Sequence, residues 1–279
     1  MKIIFSRKGF DLTAGGCPSP ILPDGRLVSL PIPDDCGPWR YRDVRLGSES
    51  LAQFVEDLSQ KQLRGASTMH FDPDLRRDAV PRVRGWRPMF GQGGKARTHL
   101  AGHKIGEGDL FLFFGWFREV EKERGRYRFV RGAPHRHILF GWLYVGERWE
   151  SPFVDPPAWA LDHPHLINDY ENGSSVFVAS AKRPFAAGVF QEFSESLVLT
   201  ESGAPRSSWL LPRWMHPRGK KSFLSYHGER SRWRSSRMGT HLRTVGRGQE
   251  FVLNTAHYPE AGPWANELVR RNSGDPARE

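Results

Sequence analysis

The sequence predicts an α+β fold, built on a curved, largely antiparallel, barrel-like sheet with a few flanking helices and long loops. Three observations carry that expectation. Between Gly108 and Glu147 lie two aromatic runs, GDLFLFFGWFR and HRHILFGWLYVGE, joined by a charged connection. Strand side chains alternate, so Leu110, Leu112, Phe114 and Trp116 share one face and Phe111, Phe113 and Phe117 the other. Both faces are apolar, which calls for cover on both sides. Each run also carries a glycine followed by tryptophan, Phe114-Gly115-Trp116 and Phe140-Gly141-Trp142, and a glycine inside a strong strand bends or bulges it. Finally, 29 Gly and 21 Pro in 279 residues, with turn signals recurring along the chain, favour short strands and long loops over a helical bundle.

Taken in order, Lys2 to Ser6 reads as the first strand. The loop that follows, Ser6 to Ser19, is rich in glycine and opens with Arg7 and Lys8. Glycines let backbone N–H groups approach an anion, so Ser6, Arg7, Lys8, Asp11 and Ser19, with Gln92 of the FGQGG run, are candidate nucleotide-phosphate contacts. The same loop reads equally as a tight connection with solvated charges. It contains neither GxxxxGK[ST] nor GxGxxG, which excludes the two common phosphate-binding signatures.

Ser48 to Leu63 is the clearest helix, with Leu51, Phe54, Val55 and Leu58 at helical spacing, Ser50 and Gln53 as a capping pair, and Gly65 past the end. HFDPDL then sets Asp72 and Asp74 around a proline, close to His70. Two neighbouring carboxylates can split acid and base roles or hold a metal with histidine, and they can equally cap a turn. Arg76 to Arg97 is basic and loop-like. His99 and His103 share a face only in a helix, against which Gly102 argues.

Trp116 and Trp142 are core residues of the curved strand pair or a stacking platform for a flat ring. Histidines two apart at His135/His137 and His163/His165 could join in one metal centre, but no zinc spacing is present, so no metal is assigned and no cofactor identified. His137 and Glu192 complete the acid–base candidates with Asp72 and Asp74; Glu192, set within an apolar run, reads equally as half-buried or as the solvent side of an amphipathic turn. Ser175 to Ser180 and Gln249 to Leu253 read as strands, and Pro263 to Arg270 as a short helix. A single domain is expected over 1–272, with a loose tail at 273–279.

The formal net charge is +10. Arg213 to Arg247 alone holds ten Lys or Arg and one acid, so nearly all the excess sits there. Aromatics interleave with these cations, and the mixture suits a groove that tracks phosphates and stacks on bases. Lys220, Lys221, Tyr226, Arg230, Arg232, Trp233 and Arg234 are the candidate nucleic-acid contacts. Cys17 and Cys36 match no metal pattern and read as free thiols. The first residues lack a secretory pattern and no window approaches the roughly 20 apolar residues of a membrane span, so a cytoplasmic protein with no membrane association is expected.

The opening KIIFSRKGFD, the Gly-Gly-Cys-Pro-Ser-Pro-Ile turn, HFDPDL, the two aromatic runs, and HPHL followed by SSVFVAS resemble the third of the bacterial and phage nucleotide-modification-associated domain families. The GDLFLFFGWF block is also similar to a strand of PUA-like and EVE-like base-recognition barrels. The resemblance implies a place in systems that make, remove or recognise modified bases, with DNA or nucleotides as partners; it brings no defined reaction and no oligomeric state. Three expectations remain open at this point. One is transferase-type modification of a base or nucleotide; another is non-catalytic capture of a flipped or modified base; the third is a toxin-like or restriction effector in phage defence.

Overall fold

The computed structural model describes residues 1–59, 62–168, 170, 173–219, 221–246 and 248–274. Its centre is the pair of aromatic strands, β4 (Leu110–Glu123) and β6 (Arg136–Glu150), which run antiparallel. Leu110 through Phe117 are all buried, as two apolar faces require. The register shifts between Leu139 and Gly141, so the second glycine sits at a bulge, where the strand bends.

Around this pair the sheet grows in both directions. β1 (Lys2–Arg7) lies parallel to β4, with Ile3 opposite Leu110 and Arg7 opposite Phe114, and carries β9 (Glu250–Asn254) antiparallel on its other side. Beyond β6 come β7 (Ser174–Ala179) and then β3 (Met89–Gly93), both antiparallel. The order is β9-β1-β4-β6-β7-β3, curled into a half-barrel whose edges are β9 and β3. Three short strands fill in, with β2 (Ser19–Ile21) and β5 (Arg126–Phe129) on β4, and β8 (Ala187–Val189) on β6. The fold is therefore α+β with a curved, largely antiparallel sheet.

One face packs Phe5, Phe114, Trp209 and Phe251 into a contiguous aromatic cluster, with Phe114 and Trp209 edge-to-face at 5.0 Å. Helix α1 (Leu51–Leu58) buries the four residues that its periodicity marks and closes a second cluster with Tyr41 and Tyr127. It is shorter than the sequence suggests at both ends. Ser50 is its N-cap residue but makes no side-chain cap, and Ser59 Oγ turns back to the Val55 carbonyl at 2.5 Å and accepts from Leu63 N–H, drawing the chain out of the helix.

Helix α2 (Gly94–Gly102) follows β3 directly where a loop was expected. Leu100 anchors it in the core, fully buried, and Gly102 ends the helix instead of breaking it. His99 and His103 consequently do meet, with ring centroids 4.6 Å apart. A single turn, α3 (Pro164–Ile167), and the longer α4 (Ala261–Asn272) complete the α-helices among the described residues; α4 buries Ala261, Ala265, Leu268 and Val269. The expected tail lies almost wholly outside the described residues. Among the described residues, no helix is long and apolar enough to cross a membrane.

The curvature makes a specific demand at Gly141. A Cβ there would fall 2.7 Å from Leu75 Cδ1 and 2.9 Å from the Gly188 carbonyl oxygen, a backbone atom that cannot swing away. Gly141→Val is expected to lower the unfolding free energy by about 1–3 kcal/mol, read from urea denaturation, whereas Gly106→Ala, where a Cβ meets nothing within 4 Å and the backbone is not left-handed, should lose less than that.

Candidate functional site

A cleft of about 1400 Å³ opens where the two edges of the half-barrel approach each other. Its walls are the ends of β1, β3 and β9, the start of α2, and the loops around Asp11, Asp34, His70 and Tyr170. The edges are tied by one buried carboxylate. Glu250 of β9 is 1% exposed, and its Oε1 accepts from Gln92 Nε2 of β3 at 2.6 Å and from Ser6 Oγ of β1 at 3.1 Å, with Lys8 Nζ at 3.3 Å. Its Oε2 has no partner among the described residues. Lys8 also lies over the Phe90 ring at 4.4 Å, so its ammonium is set between an apolar face and a carboxylate.

The cleft floor is made by His70, Asp72 and His165. The HFDPDL segment runs beside β3, where Gly91 N–H donates to Asp72 Oδ1 at 2.8 Å and Asp74 exchanges backbone bonds with Met89. His163 caps α3 by accepting from His165 N–H and brings its own Nε2 to 3.2 Å from Asp72 Oδ1, in ion-pair range but off the line of a hydrogen bond. The His165 ring lies against the bare backbone of Gly91, where a Cβ would fall 2.2 Å from its Cδ2, and stacks on Tyr170 at 4.6 Å. His165 Nε2 is 3.1 Å from His70 Nε2 and 4.0 Å from Asp72 Oδ2. His70 Nδ1 meets Asp34 Oδ2 at 3.0 Å, and His165 Nδ1 meets Ser174 Oγ at 3.3 Å.

Charge is strongly polarised here. Burial works to raise the Asp72 carboxyl, but His163, His165 and Lys8 outweigh it and hold the group ionised, well below the usual carboxylate range. Burial, with further help from His163, His70 and Lys8, drives the His165 imidazole down to about 3 against the pull of Asp72. An anion and a neutral imidazole thus sit side by side. At the rim, α2 begins at Gly93-Gly94-Lys95 with no side-chain cap, so its first N–H groups have no intrahelical partner and the positive end of the helix meets the cleft.

Residues 2–254 match the family model described as nucleotide modification associated domain 3. The chain belongs to this family. No curated protein and no solved structure matches it. The family description associates the chain with nucleotide modification, and within this nucleotide modification associated domain the residues singled out from sequence fall into three groups.

Arg7, Lys8, Asp11, Asp72, Gln92 and Tyr226 line the cleft, and Ser6 lies directly behind it on Glu250. Asp11 spends one oxygen on Thr13 and Ala14 of its own loop. A second group is buried elsewhere. Ser19 Oγ accepts from Leu30 N–H. Asp74 is gripped by both terminal nitrogens of Arg82, at 2.7 and 2.5 Å. His137 accepts from the Trp209 indole N–H at 3.0 Å, Trp142 stacks on Phe190, Trp116 donates to His135 beneath Arg206, and Trp233 donates to the His227 carbonyl. A third group is on the surface. Lys221 and Arg234 are exposed, and Arg230 and Arg232 reach the Gly219 and Arg243 carbonyls. Lys220 lies outside the described residues. Glu192 is exposed, beside the exposed Gln191 and past the end of β8, so of its two readings it takes the solvent side and is not a half-buried acid.

Sequence reasoning missed Glu250, Asp34, His165 as a partner of Asp72, and Tyr170. Only His165 left a signal, as half of the His163/His165 pair. The others join the cleft from positions far along the chain.

His137 has a direct test. Burial, helped by Arg206 and Arg7, lowers its imidazole from 6.5 to about 3. A histidine depressed in the fold adds stability that is complete above about 6.5 and is lost as pH falls toward about 3. An NMR titration should therefore show the His137 ring neutral through the ordinary histidine range, and urea stability should decline over that acid interval less steeply in His137→Leu.

Proposed function

We propose that this domain binds a nucleotide, within nucleic acid or free, in the cleft at the half-barrel seam and modifies its base or sugar by transferase-type chemistry. One observation carries the reading: a cationic, backbone-amide rim and a fixed anionic floor face each other across a space large enough for a nucleotide unit. Arg7, Lys8, Lys95 and the start of α2 supply charge and N–H donors suited to phosphate. Glu250, with one oxygen held by three donors and the other unpartnered, suits an amino or ring N–H group of a base. Tyr226, 42% exposed at the rim, offers a ring face to the same ligand. Bond-changing chemistry falls at the floor, where Asp72 is ionised.

The basic segment supports nucleic acid as the larger substrate. Its centre is stitched to β9, with Ser225 N–H donating to the Val252 carbonyl, and so places Tyr226 at the cleft while Lys221 and Arg234 remain at the surface. That arrangement would let the segment follow a backbone leading to the cleft.

The test is binding of purified protein to single- and double-stranded DNA, RNA and mononucleotides across a salt series, with mass analysis of nucleosides after incubation in cell extract. Binding should weaken steeply with salt and nucleosides of altered mass should accumulate. Lys8→Met should abolish tight binding, and Asp72→Asn should retain binding while lowering modification by about 100-fold or more. Altered nucleosides formed equally by wild type and Asp72→Asn would remove the floor from the reaction.

A further inference from the structure

We propose that His70, Asp72 and His165 bind one divalent first-row metal ion, zinc or iron(II), at the floor of the cleft. Among the described residues these are the ones whose ligand atoms converge, all within 4.8 Å of one another. Two imidazoles and a carboxylate, with further positions left to solvent or substrate, form the donor set of open zinc and non-haem iron sites.

The orientation of the rings argues for an ion more strongly than their proximity does. Asp34 is an acceptor, so it fixes the proton of His70 on Nδ1, and Nε2 is left with its lone pair directed at His165. Asp34 is itself anchored by Cys36 N–H at 3.0 Å and Asn168 Nδ2 at 3.4 Å, so its geometry does not depend on His70. Metal-binding histidines characteristically donate their second N–H to such a carboxylate. His165 faces it with Nε2 at 3.1 Å from His70 Nε2, and its Nδ1 lies 3.3 Å from Ser174 Oγ, a hydroxyl that can accept the Nδ1 proton when an ion takes the Nε2 lone pair and can donate to Nδ1 when Nε2–H is hydrogen-bonded to His70. Donors on a tetrahedral ion with bonds of about 2.0–2.1 Å lie roughly 3.3 Å apart, so the two nitrogens already stand at ligand spacing.

Asp72 supplies the third donor. Its Oδ1 is taken by Gly91 N–H and approached by His163, which leaves Oδ2 on the side of His165, 4.0 Å from Nε2. A small rotation of the carboxylate brings Oδ2 into the set. The seat is rigid elsewhere, because the His165 ring fills the volume a side chain at Gly91 would occupy and is covered by Tyr170. All three ligands line the same cleft as Lys8 and Lys95, where a bound ion would meet the substrate of the proposed reaction.

The experiment uses the full chain, stripped with a chelator and titrated with Zn²⁺, with Fe²⁺ under anaerobic conditions, and with Co²⁺ as an optical probe. The expected result is saturation at about one ion per chain and a Co²⁺ visible spectrum without a thiolate charge-transfer band, as nitrogen and oxygen ligands require. Because Zn²⁺ outbinds Fe²⁺ at most nitrogen–oxygen sites whichever ion is native, the metal content of the protein as purified, measured before stripping, names the ion. His70→Ala and His165→Ala should each lose the site, while the double variant His99→Ala/His103→Ala should keep it. Asp34→Ala leaves all three ligands in place and should weaken affinity about 10–100-fold; it decides the matter where a ligand variant fails to fold. Absence of stoichiometric binding by all three ions, binding that survives both ligand variants, or unchanged affinity in Asp34→Ala overturns the proposal. No nucleotide enters these measurements. A metal-free protein that binds nucleotides would sink the ion alone, and a metal-loaded protein that ignores nucleotides would sink the functional reading alone.

Discussion

The buried Glu250 carboxylate is the interaction on which the site depends. A curled sheet that stops short of a closed barrel leaves two edges, here β9 and β3, and their separation sets the width of the cleft between them. Glu250 stands on one edge, Gln92 on the other, Ser6 directly opposite Glu250 on the neighbouring β1 and Lys8 just past the end of β1, so a single carboxylate oxygen ties β3 to the ladder-paired β1 and β9 across the seam. Burying a charge is costly unless it is paired and hydrogen-bonded, and removing one partner of such a pair costs about 3–5 kcal/mol. The seam is held by an interaction that is expensive to break.

The second constraint is the absence of side chains where the floor is built. Gly91 gives the His165 ring its place, and Gly93 does the same for Tyr170, whose ring carbons would come within 2.9 Å of a Cβ. Both glycines lie on β3, the strand that also supplies Gln92. Five residues therefore position the floor, one wall and, through Gly94, the uncapped start of α2. This concentration makes the edge strand, and not the aromatic centre of the sheet, the organiser of the chemistry.

Trp116 and Trp142 show the contrast. Their indoles end in hydrogen bonds to His135 and to the Phe185 carbonyl, away from the cleft-lining residues; Gly141 serves the bulge, while Gly115 makes room for the Lys8 carbonyl, which a Cβ would meet at 3.0 Å. The basic segment divides in the same way: Trp233 enters the core, while Tyr226, with φ of 62°, turns out beside Gly248 at the cleft. Exposure, not residue type, separates the two aromatics.

What the sequence determined by itself was whatever local periodicity encodes. Alternation over Leu110 to Phe117 specifies a doubly covered strand, the spacing of Leu51, Phe54, Val55 and Leu58 specifies α1, and the paired FGW runs specify a bent sheet, because each depends on neighbours within a few residues. The HFDPDL segment was legible as a carboxylate-bearing turn near a histidine. Tertiary structure alone decided which carboxylate faces the cleft. Asp72 and Asp74 are two residues apart and chemically identical, yet one meets His163 and His165 and the other is locked by Arg82. Likewise Glu250 and Asp34 reach the site from opposite ends of the chain, and His165 finds His70 across ninety-five positions. Such meetings are set by the curl of the sheet, which no short window of sequence contains.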